Sequence, residues 1–209
     1  MTRMGRDGAA SDALLSVLRI GIAFFLSGAA ALIYQVVWQR MLFVVLGVDI
    51  ESVTIVVSTF MLGLGLGAAL GGTVADRFPD RILLAFCLFE IGIALFGIFS
   101  VDLILATEGT AAGLGRGAAA VLSFGLLLFP TLLMGATLPM LVAHAFRSSQ
   151  NIGVSTGSLY SLNTLGAATG ALAVGFLLLY WFDLRQSAWI AACLNALAAA
   201  TVGTALLRR

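Results

Sequence analysis

Between Ser52 and Ala75 the chain carries no charged residue. After the short charged run Asp76–Arg81, a second apolar stretch opens at Ile82 and holds a single charge, Glu90, before Asp102. An uninterrupted apolar stretch of about 18 residues or more is the length that crosses a bilayer as a helix. In hydrocarbon, only a helix satisfies its own backbone within one segment. Two such stretches, joined by a turn too short for any domain, commit the chain to packing helices in lipid. Its charge supply agrees: 10% of residues are charged, against about 25% in a soluble domain. The bilayer must therefore be most of the solvent. All eleven basic residues are arginine, and the net charge is +1. That leaves no basic patch for nucleic acid.

The same reading gives six spans, at about 19–46, 52–74, 82–105, 118–146, 156–182 and 186–207. Residues 1–18 form a cytoplasmic N-terminal segment, and 19–209 the six-helix domain. The basic start and Ala29–Ala31 resemble a cleaved signal peptide. The apolar run continues past them to Leu46, so an uncleaved first helix is the better reading. Small-residue and polar loops are predicted at 106–117 and 147–155. Pro130 and Pro139 fall inside the fourth span, where each favours a kink. With six spans, both termini share a side. Placing them inside gives that side Arg3, Arg6, Arg19, Arg77, Arg81, Arg147, Arg208 and Arg209, against Arg40, Arg116 and Arg185 outside. This bias predicts N-in and C-in.

Gly63, Gly67 and Gly71 stand four apart, as do Gly166 and Gly170. Such spacing puts bare backbone on one helix face, where a neighbouring helix can approach closely. Gly65-x-Gly67 is not a phosphate loop, because no strand precedes it. Cys87 and Cys193 lie in apolar runs and read as small core residues. No internal repeat is clear in the letters, and a relation between spans one to three and four to six stays open.

Glu90 is the acid deepest in the predicted membrane, about 12 Å from the inner surface at 1.5 Å per residue. A charge at that depth faces the protein interior or a wet cavity. By the same count Asn163 lies at about 10 Å and Thr137 at about 15 Å, with Tyr160 and Thr164 flanking Asn163. The single histidine, His144, lies nearer the inner edge. These groups could surround a small cavity suited to a cation or an amine. The competing reading is a buried glutamate that holds helices together. Near the other surface, Tyr34 and Trp38 share a face of the first span and suit an interfacial belt. Gln35, Gln39 and Arg40 there are less easily explained. Arg40 and Asp102 lie at equal depth and could form a rim pair. No nucleophile–histidine–acid set, metal spacing or nucleotide loop is visible, so no cofactor is predicted.

Gly72–Arg81, G-x-x-x-D-R-x-P-D-R, resembles the loop between the second and third helices of the major facilitator superfamily. There the acid pairs with a neighbouring helix as a cytoplasmic latch. The resemblance implies that role for Asp76, Arg77 and Arg81, although Pro79 and Asp80 depart from the pattern. FFLSGAAALIYQVVWQRML (24–42), FMLGLGLGAALGGTVADR (60–77), FEIGIALFG (89–97), PTLLMGATLPML (130–141) and LYSLNTLGAATGALAVGFLL (159–178) together resemble the membrane domain of bacterial fused major-facilitator/spermidine-synthase-like proteins.

That resemblance implies an all-α integral membrane protein of half-major-facilitator type in the bacterial inner membrane. In that family a soluble aminopropyltransferase domain usually accompanies the membrane domain, and none of its motifs is present in these residues. The chain by itself is therefore expected not to be an enzyme. The leading expectation is binding or transport of a small, polyamine-like cation, with Glu90 as counter-charge and Asn163, Tyr160 and Thr137 as orienting groups. The alternative is a non-catalytic accessory subunit of a larger membrane complex. Expected partners are the lipid bilayer, a second copy or larger complex, and a separately encoded synthase.

Overall fold

The computed structural model describes residues 3–111, 115–149 and 151–206. Every element among them is helical. They are α1 (Arg3–Leu46), α2 (Asp49–Arg77), α3 (Ile82–Ala111), α4 (Arg116–Ser149), α5 (Ile152–Ala173) and α6 (Leu184–Leu206). A 3-10 turn, Pro79–Arg81, links α2 to α3. A π-helical turn, Val174–Leu178, and a last turn, Leu179–Trp181, prolong α5. Six helices are long and apolar enough to cross a membrane.

The spans lie where hydropathy places them, but their ends differ from expectation. Helix α1 already begins at Arg3, although its apolar stretch starts only at Val17. The two predicted loops are short: α3 runs on to Ala111, α4 starts at Arg116 and ends at Ser149, and α5 starts at Ile152. The second loop shrinks because Asn151 caps α5, its Oδ1 accepting from the backbone N–H of Val154 at 3.1 Å. Arg208 and Arg209, and the side chains of Arg3, Arg6 and Arg116, on which the topology expectation leans, lie outside the described residues.

The main crossings are α2 with α4, α1 with α5, α3 with α6, α1 with α6 and α3 with α4. Exchanging α1 with α4, α2 with α5 and α3 with α6 maps this set onto itself. The match holds at single residues. A Cβ on Gly67 would strike the carbonyl of Leu132, and one on Gly71 that of Ala136. A Cβ on Gly166 would strike the carbonyl of Phe25, and one on Gly170 that of Ala29. Reciprocally, Gly135 of α4 lies against the Leu64 carbonyl and Gly28 of α1 against that of Asn163.

With these contacts as a guide, Leu66–Gly71 (LGAALG) aligns with Leu165–Gly170 (LGAATG). The chain therefore contains a three-helix repeat that the letters alone did not reveal. Equivalent helices are three spans apart, so the two halves run through the bundle in opposite senses.

Helix α1 is the most enclosed span and α5 the least. Around α1 gathers a core of Trp38, Tyr34, Leu42, Phe60 and Ile93. Tyr34 and Trp38 are fully buried and stacked, their ring centroids 5.0 Å apart, with Phe96 edge-on to Trp38. They form no interfacial belt, contrary to expectation. Their shared face of α1 points into the bundle, because α1 is surrounded by other helices. Cys87 is buried as predicted, whereas Cys193 is exposed.

Candidate functional site

Glu90 is wholly buried in the bundle. Helix α3 carries it toward α1 and α6, between Phe86 and Ile93, one turn away on either side and both fully buried. Ser27 Oγ donates to Oε1 at 2.7 Å, and Asn195 Nδ2 donates to Oε2 at 2.6 Å. Ser27 is 5% exposed and Asn195 1%. One carboxylate thus joins α1, α3 and α6. Ala23 and Ala30, about one turn to either side of Ser27 and fully buried, keep that face of α1 thin enough for such short contacts. On the next turn of α3, Cys87 Sγ donates to the carbonyl of Ala199 at 3.4 Å.

The triad is not closed. Asn195 Oδ1 is buried and finds no hydrogen-bond partner among the described residues. The same holds for Tyr34 OH, Trp38 Nε1 and Ser187 Oγ. The carboxylate and the unused amide oxygen leave the bundle interior rich in acceptors at this point. Their chemical complement is a group with several N–H or O–H donors, such as an ammonium or water.

The predicted companions of Glu90 lie elsewhere. Asn163 is half-buried on the α5 face that meets α1 at Gly28, and Thr164 beside it is exposed. Tyr160 is exposed. Thr137 is buried but turns its hydroxyl back to the Met134 carbonyl of its own helix at 2.7 Å. His144 is half-buried near the end of α4. Counting depth along a helix fixes a residue's height and leaves its direction open. The same count gives Ser27 about 12 Å, level with Glu90, so α1 held a signal that went unused.

The predicted Arg40–Asp102 pair is also replaced. Asp102 accepts both guanidinium N–H groups of Arg185, each at 2.6 Å. Helix α6 starts at Leu184, which brings Arg185 level with Asp102 on α3. Trp189, one turn on, donates to the Ile98 carbonyl at 3.1 Å.

At the end of α2 and in the 3-10 turn after it, Asp76, Arg77 and Arg81 are all exposed. Arg77 lies 6.0 Å from the ring centre of Phe78. The acid nearest a cation is Asp80, 3.9 Å from Arg147 at the end of α4, and Arg147 also donates to the Pro79 carbonyl at 2.9 Å. The 3-10 turn directs Asp80, and not Asp76, toward α4. Among the described residues, no group of three or more His, Cys, Asp and Glu side chains is placed to hold a metal ion.

No family model and no solved structure matches the chain. Curated relatives do. The chain is 31% identical over 195 residues to a polyamine aminopropyltransferase of Corynebacterium efficiens, covering 90% of this chain and 35% of that protein. It is 24% identical over 177 residues to one of Oceanobacillus iheyensis, covering 83% and 33%. It is 26% identical over 189 residues to polyamine aminopropyltransferase 2 of Streptomyces coelicolor, covering 88% and 33%. Nearly all of this six-helix chain is thus similar to about a third of the length of proteins that carry the name polyamine aminopropyltransferase.

Proposed function

We propose that the chain is a multi-pass unit of the bacterial cytoplasmic membrane that binds or carries a small polyamine-like cation, in a protein related to the aminopropyltransferases. One observation carries this reading. Glu90 and Asn195, whose Oδ1 has no partner among the described residues, place acceptors on two adjoining side chains inside the bundle. An ammonium offers three donors and a charge that a buried carboxylate lacks. The inverted three-helix repeat supports a half-transporter of major-facilitator type, since repeats of this kind build many transporters around a midplane site. In such a unit a second copy would complete the path, with both termini cytoplasmic and the Asp76–Arg81 turn as the latch. Asn163, Tyr160 and Thr137 would then act only in another conformation, and Ser27 and Asn195 take their place beside Glu90.

The accessory reading has its own support. The carboxylate already holds two short hydrogen bonds and is fully enclosed, which is also how a structural pin is built. Such a subunit would serve a larger complex or a separate synthase. Binding of radiolabelled spermidine to the purified chain in nanodiscs separates the two. Saturable binding that Glu90→Gln removes supports the cation site. Absent binding, or binding unchanged in Glu90→Gln, leaves the structural pin.

A further inference from the structure

On another flank of α1, away from Glu90, a groove of about 590 Å³ opens between α1 and α2. Its polar wall is Gln35, Gln39 and Arg40 of α1 and Asp49, the first residue of α2. Its remaining wall is apolar, with Leu32 and Val57 at the deep end. We infer that this groove binds a zwitterionic phospholipid, with the phosphate on Arg40 and the glutamine amides and the primary ammonium of the headgroup on Asp49.

Three observations lead there. First, Arg40 is exposed and has no acidic partner among the described residues, whereas Asp102 is fully engaged by Arg185. Arg40 also borders a second groove that it shares with Asp183, Leu184 and Arg185. It stands about 9 Å from the end of α1 along the helix axis.

Second, Gln39 Nε2 donates to Asp49 Oδ1 at 2.8 Å. One turn deeper, the half-buried Gln35 amide makes no hydrogen bond within the described residues. An amide facing hydrocarbon needs a partner, and a lipid phosphate or glycerol ester reaching down the groove supplies one.

Third, the groove is graded. Charge lies at the end where α1 passes into α2, and aliphatic wall runs inward from it. This is the shape of an amphiphile with its head at the surface. The gradient decides between ligand classes. A polyamine would meet the Arg40 charge and leave the aliphatic wall unused. A free anion would use neither that wall nor Asp49. A phospholipid with a primary amine uses all of them, and Arg presents the fork that phosphate prefers.

The test uses the full chain, delipidated in detergent and read by native mass spectrometry. It is offered an equal mixture of phosphatidylethanolamine, phosphatidylcholine and phosphatidylglycerol with identical acyl chains. In separate samples it is offered phosphoethanolamine and inorganic phosphate. Phosphatidylethanolamine should be retained above the other two lipids, with no retention of the chainless compounds. Arg40→Ala should lower retention of all three lipids roughly tenfold, the loss of one charge-assisted contact. Asp49→Asn should remove the preference for phosphatidylethanolamine and leave total lipid retention unchanged. Both variants should stay monodisperse. Equal retention of the three lipids, retention of phosphoethanolamine or phosphate as strong as that of lipid, or an Arg40→Ala chain that is folded and unchanged would each overturn the assignment. Spermidine binding at Glu90 is measured independently, so either site can fail alone.

Discussion

Asn195 donates its amide to Glu90 at 2.6 Å across the α3–α6 crossing, while the oxygen of the same amide is left without a partner among the described residues. Under the repeat that exchanges α3 with α6, this crossing maps onto itself. The bundle therefore places an acid on one side of its pseudo-axis and an amide on the other. Stability should rank with what remains of this contact. Glu90→Gln keeps an acceptor and should cost about 1 kcal/mol, the loss of one net hydrogen bond. Glu90→Ala strands two buried donors and opens a cavity, and should cost about 3 kcal/mol or more. Denaturation titrated with SDS in micelles gives both values, and equal costs would contradict the geometry.

The two glycine crossings should behave alike. Gly67→Val and Gly166→Val both drive a side chain into a carbonyl of the facing helix, at Leu132 and Phe25. Each should cost about 2 kcal/mol or more, because an overpacked close contact must part. A methyl group added at Gly65 would meet nothing within 4 Å, so this position should accept alanine within about 0.5 kcal/mol. Size-exclusion profiles and thermal unfolding check this. A neutral Gly166→Val beside a damaging Gly67→Val would break the repeat.

Two buried polar groups on α1 lack a partner among the described residues, and that gives a prediction with an unusual sign. Tyr34 OH is packed against Gly97, and neither it nor Trp38 Nε1 is hydrogen-bonded there. Removing an unsatisfied buried hydroxyl relieves its desolvation cost. Tyr34→Phe should therefore keep or raise the unfolding midpoint, while Tyr34→Ala, which empties the stack on Trp38, should lower stability by about 3 kcal/mol or more. A Tyr34→Phe protein markedly less stable than the parent would mean that the hydroxyl is satisfied by a bound molecule.

Near the same end of α3, the Arg185–Asp102 pair is bidentate but partly exposed, with side chains 40% and 52% accessible. Solvent screening limits it, so Arg185→Ala should cost no more than about 1 kcal/mol. Arg40→Ala should leave that pair, and the stability it gives, unchanged. Thermal melts of the two single variants and the double variant distinguish this pairing from one between Arg40 and Asp102.

The elements were far more legible than the site. Long apolar runs with few charges, and the charged break at Asp76–Arg81, mark six helices, because an apolar environment leaves the backbone no other option. Helix ends were less legible, since a cap such as Asn151 moves them by several residues. The repeat was hidden because its trace is a few small residues. Their meaning is a backbone-to-backbone approach, visible only once Gly67 and Gly166 are seen on matching carbonyls. That Glu90 faces the interior could be read from its depth. Its partners could not, because axial depth does not say which way Asn163 or Asn195 faces. Asp102 found Arg185 instead of Arg40 for the same reason.

In the proposed cation site, Glu90 and Asn195 together receive an ammonium. A double-mutant cycle on spermidine binding tests this most directly, with Glu90→Gln, Asn195→Leu and the pair measured in nanodiscs by equilibrium binding. Each single change should weaken binding at least roughly tenfold, and the double variant should be little worse than Glu90→Gln, the non-additivity of residues that share one ligand. Binding that survives both changes, or losses that add independently, would contradict it.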